Sequence, residues 1–204
     1  MSSQLSSTPR QTLNARQAKK VESLFDAASD LLDEVGHEQI TIRMVAARAG
    51  CSPATAYTYF ASKDHLFAEL FSRLLESSPG PEHIGRTPEE RMRAVVTCLA
   101  EVIAGAPALA AAANKSLLGA DPEVHRLRVA IGTLWMKRFR EAIGPDANPD
   151  LLEALSCAFI GALLQAGMGI FSYDALPDVL GRVVGAIMRG WSSGRVPSRR
   201  ALRA

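Results

Sequence analysis

Residues 41–60 read Thr41-Ile42-Arg43-Met44-Val45-Ala46-Ala47-Arg48-Ala49-Gly50-Cys51-Ser52-Pro53-Ala54-Thr55-Ala56-Tyr57-Thr58-Tyr59-Phe60. Thr41 and Ser52 each stand just before a short helical run, where a hydroxyl serves as an N-cap. Pro53 follows at a first helical position, which has no use for the N–H that proline lacks. Gly50 supplies the left-handed residue of a tight turn. The stretch therefore reads as two short helices joined by Gly-Cys-Ser. Val45, Ala46 and Ala49 give the first a small apolar face for close packing. This is a helix-turn-helix, whose second helix enters the major groove of DNA. That helix would present Pro53, Ala54, Thr55 and Thr58, small enough for the backbone to approach base edges. The threonines offer hydroxyls, and methyls for thymine. Tyr57, Tyr59 and Lys63 are spaced to reach phosphates.

Outward from this stretch the pattern stays helical, with no alternating strand. Upstream, Val21, Leu24, Phe25, Ala28, Leu31, Leu32 and Val35 fall on one face, and Gly36 ends that helix. Residues 1–13 lack periodicity and are expected to be a disordered arm. Downstream, Ser62 caps a helix striped by Leu66, Phe67, Leu70, Phe71, Leu74 and Leu75. Prolines and glycines over 77–88 mark a boundary. Beyond it, Thr87-Pro88-Glu89-Glu90 spells a capping box, and Asp121-Pro122-Glu123 and Asn148-Pro149-Asp150 repeat the proline start. Helices are expected at about 88–105, 107–118, 149–172 and 177–192, with another striped by Val124, Leu127, Ile131, Leu134, Trp135, Phe139 and Ile143. The expected fold is all-α with about nine helices. It divides into a helix-turn-helix domain over 14–62, a connecting helix over 63–78 and a ligand-binding and dimerisation domain over 79–193. A basic tail follows over 194–204.

The chain of 204 residues has a formal charge of +2, from 23 basic and 21 acidic residues. That average hides a segregation. Acids gather at Glu22, Asp26, Asp30, Asp33, Glu34 and Glu38, whereas 39–63 hold Arg43, Arg48 and Lys63 and no acid. Residues 182–204 hold six arginines and no acid. Cys51, Cys98 and Cys157 are an odd number without metal spacing, so they read as reduced thiols of a cytoplasmic protein. His37, His65, His83 and His125 are scattered, so no metal site is expected. No nucleophile elbow, phosphate loop or dinucleotide fingerprint occurs, which argues against an enzyme and leaves no cofactor expected. No apolar leader opens the chain. The charge-free run from Ala154 to Tyr173 is long enough to span a bilayer. Its serine, glutamine and glycines, with acids on both flanks, favour a buried helix instead.

The frame Thr41-x-Arg43, Val45-Ala46-Ala47-Arg48-Ala49-Gly50-x-Ser52, Thr55-x-Tyr57-x-Tyr59-Phe60-x-Ser62-Lys63-x-x-Leu66 resembles the DNA-binding signature of the TetR family of bacterial transcriptional regulators. The likeness covers about 50 residues, and the rest of the chain matches in length and helix count. Ala54 and Ala56 stand where members often have Gly and Leu, and Pro53 where a polar or basic residue is common. The resemblance implies a repressor of double-stranded DNA, with Thr41, Arg43, Ser52, Pro53, Thr55, Tyr57, Thr58, Tyr59 and Lys63 at the operator. Arg10, Arg16, Lys19 and Lys20 could add contacts from the arm.

One reading helix binds weakly, so a two-fold homodimer on a palindrome is expected. The last two helices could form a four-helix bundle with a partner, through Phe159, Ala162, Ala166, Gly181, Val184, Gly185 and Met188. The remaining helices would enclose a pocket lined by Met92, Val96, Leu99, Asn114, Trp135, Phe139, Phe159, Gln165, Met168 and Phe171, with Thr97 and Ile103 nearby. Few charges lie among them, so the expected effector is a small, mostly apolar molecule. The competing reading is a helical adaptor that binds proteins without sequence-specific DNA binding.

Overall fold

The computed structural model describes residues 15–81, 85–145 and 147–193. The arm over 1–13 with Arg10, His83, and the tail over 194–204 lie outside the described residues. Among the described residues there are nine α-helices and no strand. They are α1 (Ala15–Val35), α2 (Ile42–Arg48), α3 (Pro53–Tyr59), α4 (Lys63–Ser77), α5 (Pro88–Ala104), α6 (Pro107–Leu117), α7 (Pro122–Ile143), α8 (Pro149–Gly167) and α9 (Leu176–Ser193). Single 3-10 turns occupy His37–Gln39 and Tyr173–Ala175. The chain divides into two compact units, the first ending at Lys63 and the second beginning at Asp64.

In the first unit α1 buries Leu24, Phe25, Ala27, Ala28, Leu31 and Leu32. Phe60 is buried and meets Phe25 edge-to-face, with centroids 5.2 Å apart. Phe60 is thus a core residue. The Arg48 guanidinium donates twice to the Glu34 carboxylate, at 2.8 and 2.6 Å, tying the end of α2 to α1. That hydrogen bonding holds the Glu34 carboxyl below its usual range.

In the second unit the start signals read from sequence are all present. Thr87 Oγ1 accepts from Glu90 N, and Glu90 returns the bond to Thr87 N and also takes Arg86 N. These backbone bonds hold the Glu90 carboxyl below its usual range. Asp121 and Asn148 cap α7 and α8 through Glu123 N and Leu151 N. The core joins Met92, Val96, Leu99 and Ile103 of α5 to Phe139 of α7, Leu155 and Phe159 of α8, and Leu180, Val184 and Met188 of α9. Two arginines close helix ends. Arg91 donates to the carbonyls of Ala142 and Ile143, and Arg138 to those of Leu75 and Ser78.

Helix α8 stops five residues short of the expected 172. Gly169 has φ +76°, Gly169 N donates to Ala166 O and Ile170 N to Gln165 O. This paired closure consumes the last carbonyls and needs a left-handed residue, which only glycine adopts without strain. α8 is the one described helix long and apolar enough by itself to cross a membrane. Its Leu151, Leu152, Leu155, Phe159, Ala162, Leu163 and Ala166 are buried within the protein.

Candidate functional site

Local rules build the reading segment. Thr41 Oγ1 accepts from Met44 N at 3.2 Å and Ser52 Oγ from Thr55 N at 3.1 Å, so both short helices start on a side-chain cap. Between them Gly50 has φ +62°, Gly50 N donates to Ala47 O and Cys51 N to Ala46 O. The turn is therefore closed by its own backbone, and it aims α3 away from α2 with no long side chain required. Ala56 is buried, and its size lets α3 lie close to the residues behind it.

The outer side of α3 is small and uncharged. Pro53, Ala54 and Thr58 are exposed, and Tyr57 is 51% exposed. Thr41, Arg43 and Ser52 are also exposed. Thr55 is half-buried, its hydroxyl 2.9 Å from that of Ser52. Thr58 Oγ1 donates to Ala54 O at 3.0 Å, which leaves its lone pairs free to accept. Tyr59 is half-buried. Lys63 is half-buried as well, and its Nζ donates to His37 O at 2.9 Å. Lys63 thereby fastens the start of α4 to the turn before α2. Its charge stays near the segment while one of its three donors is occupied. With Arg48 paired to Glu34, Arg43 and Lys63 carry the positive charge of this segment that no acid among the described residues pairs.

The second unit holds a cavity of about 370 Å³. Its walls are Phe71 of α4, Asn114, Leu117 and Leu118 at the end of α6, Arg128, Ile131, Gly132 and Trp135 of α7, and Ile160, Leu163 and Leu164 of α8. Of the ten pocket residues expected from sequence, Asn114 and Trp135 are in these walls. Met92, Val96, Leu99, Phe139 and Phe159 are 0–1% exposed and belong to the packed core behind them. Phe159 meets Trp135 edge-to-face at 4.6 Å and Phe139 at 5.8 Å. Phe171 is half-buried against the same core. Gln165 is exposed on the last turn of α8, and Met168, just past its end, is 69% exposed. Asn114 acts within the wall. Its Nδ2 donates to Leu163 O at 2.7 Å and to the Tyr173 hydroxyl at 2.8 Å, pinning α6 to α8. Burial raises the Tyr173 pKa, against a smaller opposing effect of the Asn114 bond.

The interface residues expected from sequence also move. Phe159, Ala162, Ala166, Val184 and Met188 are 0–6% exposed, and Gly181 and Gly185 are buried as well. They face the unit's own core. Gly185 sits against the Glu89 side chain of α5, whose carboxylate pairs with Arg189 at 3.1 Å. Gly185 thus serves a close approach inside the subunit, whereas a Cβ added at Gly181 would meet nothing within 4 Å. Facing outward are Ala154, Cys157 and Gly161 on α8, and Val179, Val183, Ala186 and Gly190 on α9, each exposed or half-buried. Both sets step by three or four residues, which makes one stripe on each helix. A stripe on the other side of the same helices could not be told apart by periodicity alone.

Residues 24–70 match the family described as bacterial regulatory proteins, tetR family. An uncharacterised HTH-type transcriptional regulator of Mycobacterium tuberculosis is 42% identical over 179 residues, covering 87% of this chain and 84% of that protein. The HTH-type transcriptional repressor KstR of Rhodococcus jostii is 30% identical over 135 residues, covering 65% of this chain and 63% of the repressor. Among solved structures, a TetR transcriptional regulator from Rhodococcus sp. RHA1 superposes with a TM-score of 0.70 at 20% identity, covering 85% of this chain and 97% of the other. Thermus thermophilus FadR, in complex with lauroyl-CoA, superposes with a TM-score of 0.62 at 20% identity, covering 86% and 95%.

Proposed function

The chain belongs to the TetR family of bacterial transcriptional regulators, and on that premise we propose that it is a cytoplasmic homodimeric repressor, released from a palindromic operator by a small, mostly apolar effector. The observation that carries the reading is α3, whose outer side is small, uncharged and exposed within a stretch, 39–63, that holds no acid. Such a side approaches base edges closely without repelling phosphates. Thr41, Arg43, Ser52 and Tyr57 flank it as backbone contacts, with Lys63 and Tyr59 behind them. Pro53, Thr55 and Thr58 face the groove. Similarity to the KstR repressors supports repression as the direction of control.

The dimer is assigned to the outward stripes of α8 and α9, since a second reading helix multiplies a weak single contact. The effector is assigned to the 370 Å³ cavity, which lies within the size range of small-molecule sites. The FadR complex with lauroyl-CoA is a case of this fold binding a ligand with a long apolar chain. An effector releases DNA only by binding the released state more tightly than the DNA-competent one.

The test is fluorescence anisotropy of duplexes from the DNA flanking the protein's own gene, titrated with salt. A sequence-specific complex is expected, with one dimer per site and affinity falling as salt rises. Thr58→Ala and Tyr57→Ala should weaken it while leaving the fold intact. A folded protein with no preference among duplexes at low salt would overturn the reading and favour the adaptor.

A further inference from the structure

The cavity wall is not uniformly apolar: besides Asn114, whose Nδ2 is spent on Leu163 O and the Tyr173 hydroxyl, it carries two further hydrogen-bond donors. Among its eleven wall residues the only ionisable side chain is Arg128, and there is no carboxylate. Arg128 makes no ion pair with any described residue. Its Nε donates to Leu117 O at 2.7 Å and its Nη2 to Gly119 O at 2.6 Å, while Nη1 lies 3.5 Å from His125 Nδ1. Carbonyls orient a guanidinium without cancelling its charge, and N–H groups on Nη1 and Nη2 remain for a further acceptor. The second feature is Trp135, 6% exposed, whose Nε1 is buried with no hydrogen-bond partner. A buried donor left unmade is costly, and an incoming acceptor removes that cost. Arg128, Ile131 or Gly132, and Trp135 follow one another on the same side of α7. Seven residues of helix separate the two polar ends by about 10 Å.

We propose that the effector is an amphipathic carboxylate: an apolar chain about 10 Å long, its carboxylate held by Arg128 and an oxygen at its far end accepting from Trp135. This deepens the reading of the cavity as an effector site and rests on it. Phe71, Leu117, Ile131, Ile160, Leu163 and Leu164 would surround the chain. The volume of about 370 Å³ equals roughly a dozen waters at ~30 Å³ each, which suits a medium-length acid. A planar carboxylate fits the guanidinium edge through paired hydrogen bonds, and an alcohol or a quaternary ammonium does not.

Titration calorimetry of the full-length protein with decanoate, ω-hydroxydecanoate, decan-1-ol and decyltrimethylammonium tests this. Decanoate is expected to bind at least tenfold more tightly than decan-1-ol, and ω-hydroxydecanoate several-fold more tightly again. The ammonium should give no saturable heat. Arg128→Gln should erase the preference for the acid. Arg128→Lys keeps the charge and should keep the preference, which holds the test open if the Gln variant does not fold. Trp135→Phe should erase only the gain from the far hydroxyl. Equal or tighter binding of the alcohol, saturable binding of the ammonium, an unchanged preference in a folded Arg128→Gln protein, or no binding of either acid overturns the proposal. The anisotropy assay on DNA without ligand scores the repressor reading separately, so either can fail alone.

Discussion

The two units hold their helices in place by different means. In the first, α2 and α3 have seven residues each, too short to persist on their own. They stand because Thr41 and Ser52 cap them and Gly50 closes the turn between them. In the second, α5 and α7 to α9 have 17–22 residues, and each buries a stripe in a shared core. Replacing a cap disturbs a few residues and one hydrogen bond. Replacing a core aromatic removes contacts from several helices at once. The unit proposed to meet DNA is therefore locally specified, and the unit proposed to hold the effector is collectively specified.

The largest effect is expected from Phe159→Ala. Phe159 is 0% exposed and packs on Trp135 and Phe139. Its loss should cost about 3–5 kcal/mol, read from urea denaturation, with the helices of the second unit melting first. A cost near that of a cap residue would show that the core is not shared in this way. Next comes Gly50→Ala, which forces a side chain to φ +62° at a cost of about 1–2 kcal/mol. No heavy atom lies within 4 Å of the added Cβ, so strain is the whole effect. DNA affinity should fall with it, because the turn aims α3. A Gly50→Asn protein should lose less, since Asn tolerates this conformation.

Ser52→Ala removes the α3 cap and should cost about 1 kcal/mol. Its signature is hydrogen exchange: amides of α3 should open while those of α5 and α9 keep their protection. Equal opening in both units would contradict local specification. The smallest effect is electrostatic. Hydrogen bonds from Arg48 lower the Glu34 pKa, so the tie is fully present above the carboxyl's unfolded value. It is lost as pH falls through the lower folded value. Glu34→Gln should therefore flatten the acid limb of stability against pH, leaving the limb above neutrality unchanged.

The same contrast explains which residues were legible in the sequence. Caps, proline starts and the Gly50 turn are rules of a few adjacent residues, so the ends of α2, α3, α5, α7 and α8's start could be read directly. The end of α8 could not, because Gly161, Gly167 and Gly169 all punctuate one apolar run, and Gly169 makes the closure. Which side of α9 faces inward depends on how α5 and α8 pack on it, and which side of α8 on how α6, α7 and α9 do. Periodicity alone therefore puts Phe159, Ala162, Gly185 and Met188 on a partner side, whereas in the structure they face the core. The cavity needs four helices to be positioned at once. Asn114 is marked by a polar amide on an apolar helix and Trp135 by its aromatic place in the α7 stripe, whereas nothing in their spacing assigns Phe71, Arg128 or Ile160 to a pocket. Arg128 could have been found by asking which cation on α7 lies one turn before Ile131 and Gly132.

If α3 reads bases and the second unit supplies the dimer, operator binding must depend on both. The most direct measurement is a paired one, the affinity and stoichiometry of operator binding for the wild type, for Thr58→Ala and for Ala186→Arg. The wild type should form a two-protomer complex. Thr58→Ala should still form dimers and bind at least several-fold more weakly, with relaxed base preference. Ala186→Arg should sediment as a folded monomer and lose the specific complex. Specific binding by a monomeric Ala186→Arg protein, or an unchanged base preference in Thr58→Ala, would contradict that dependence.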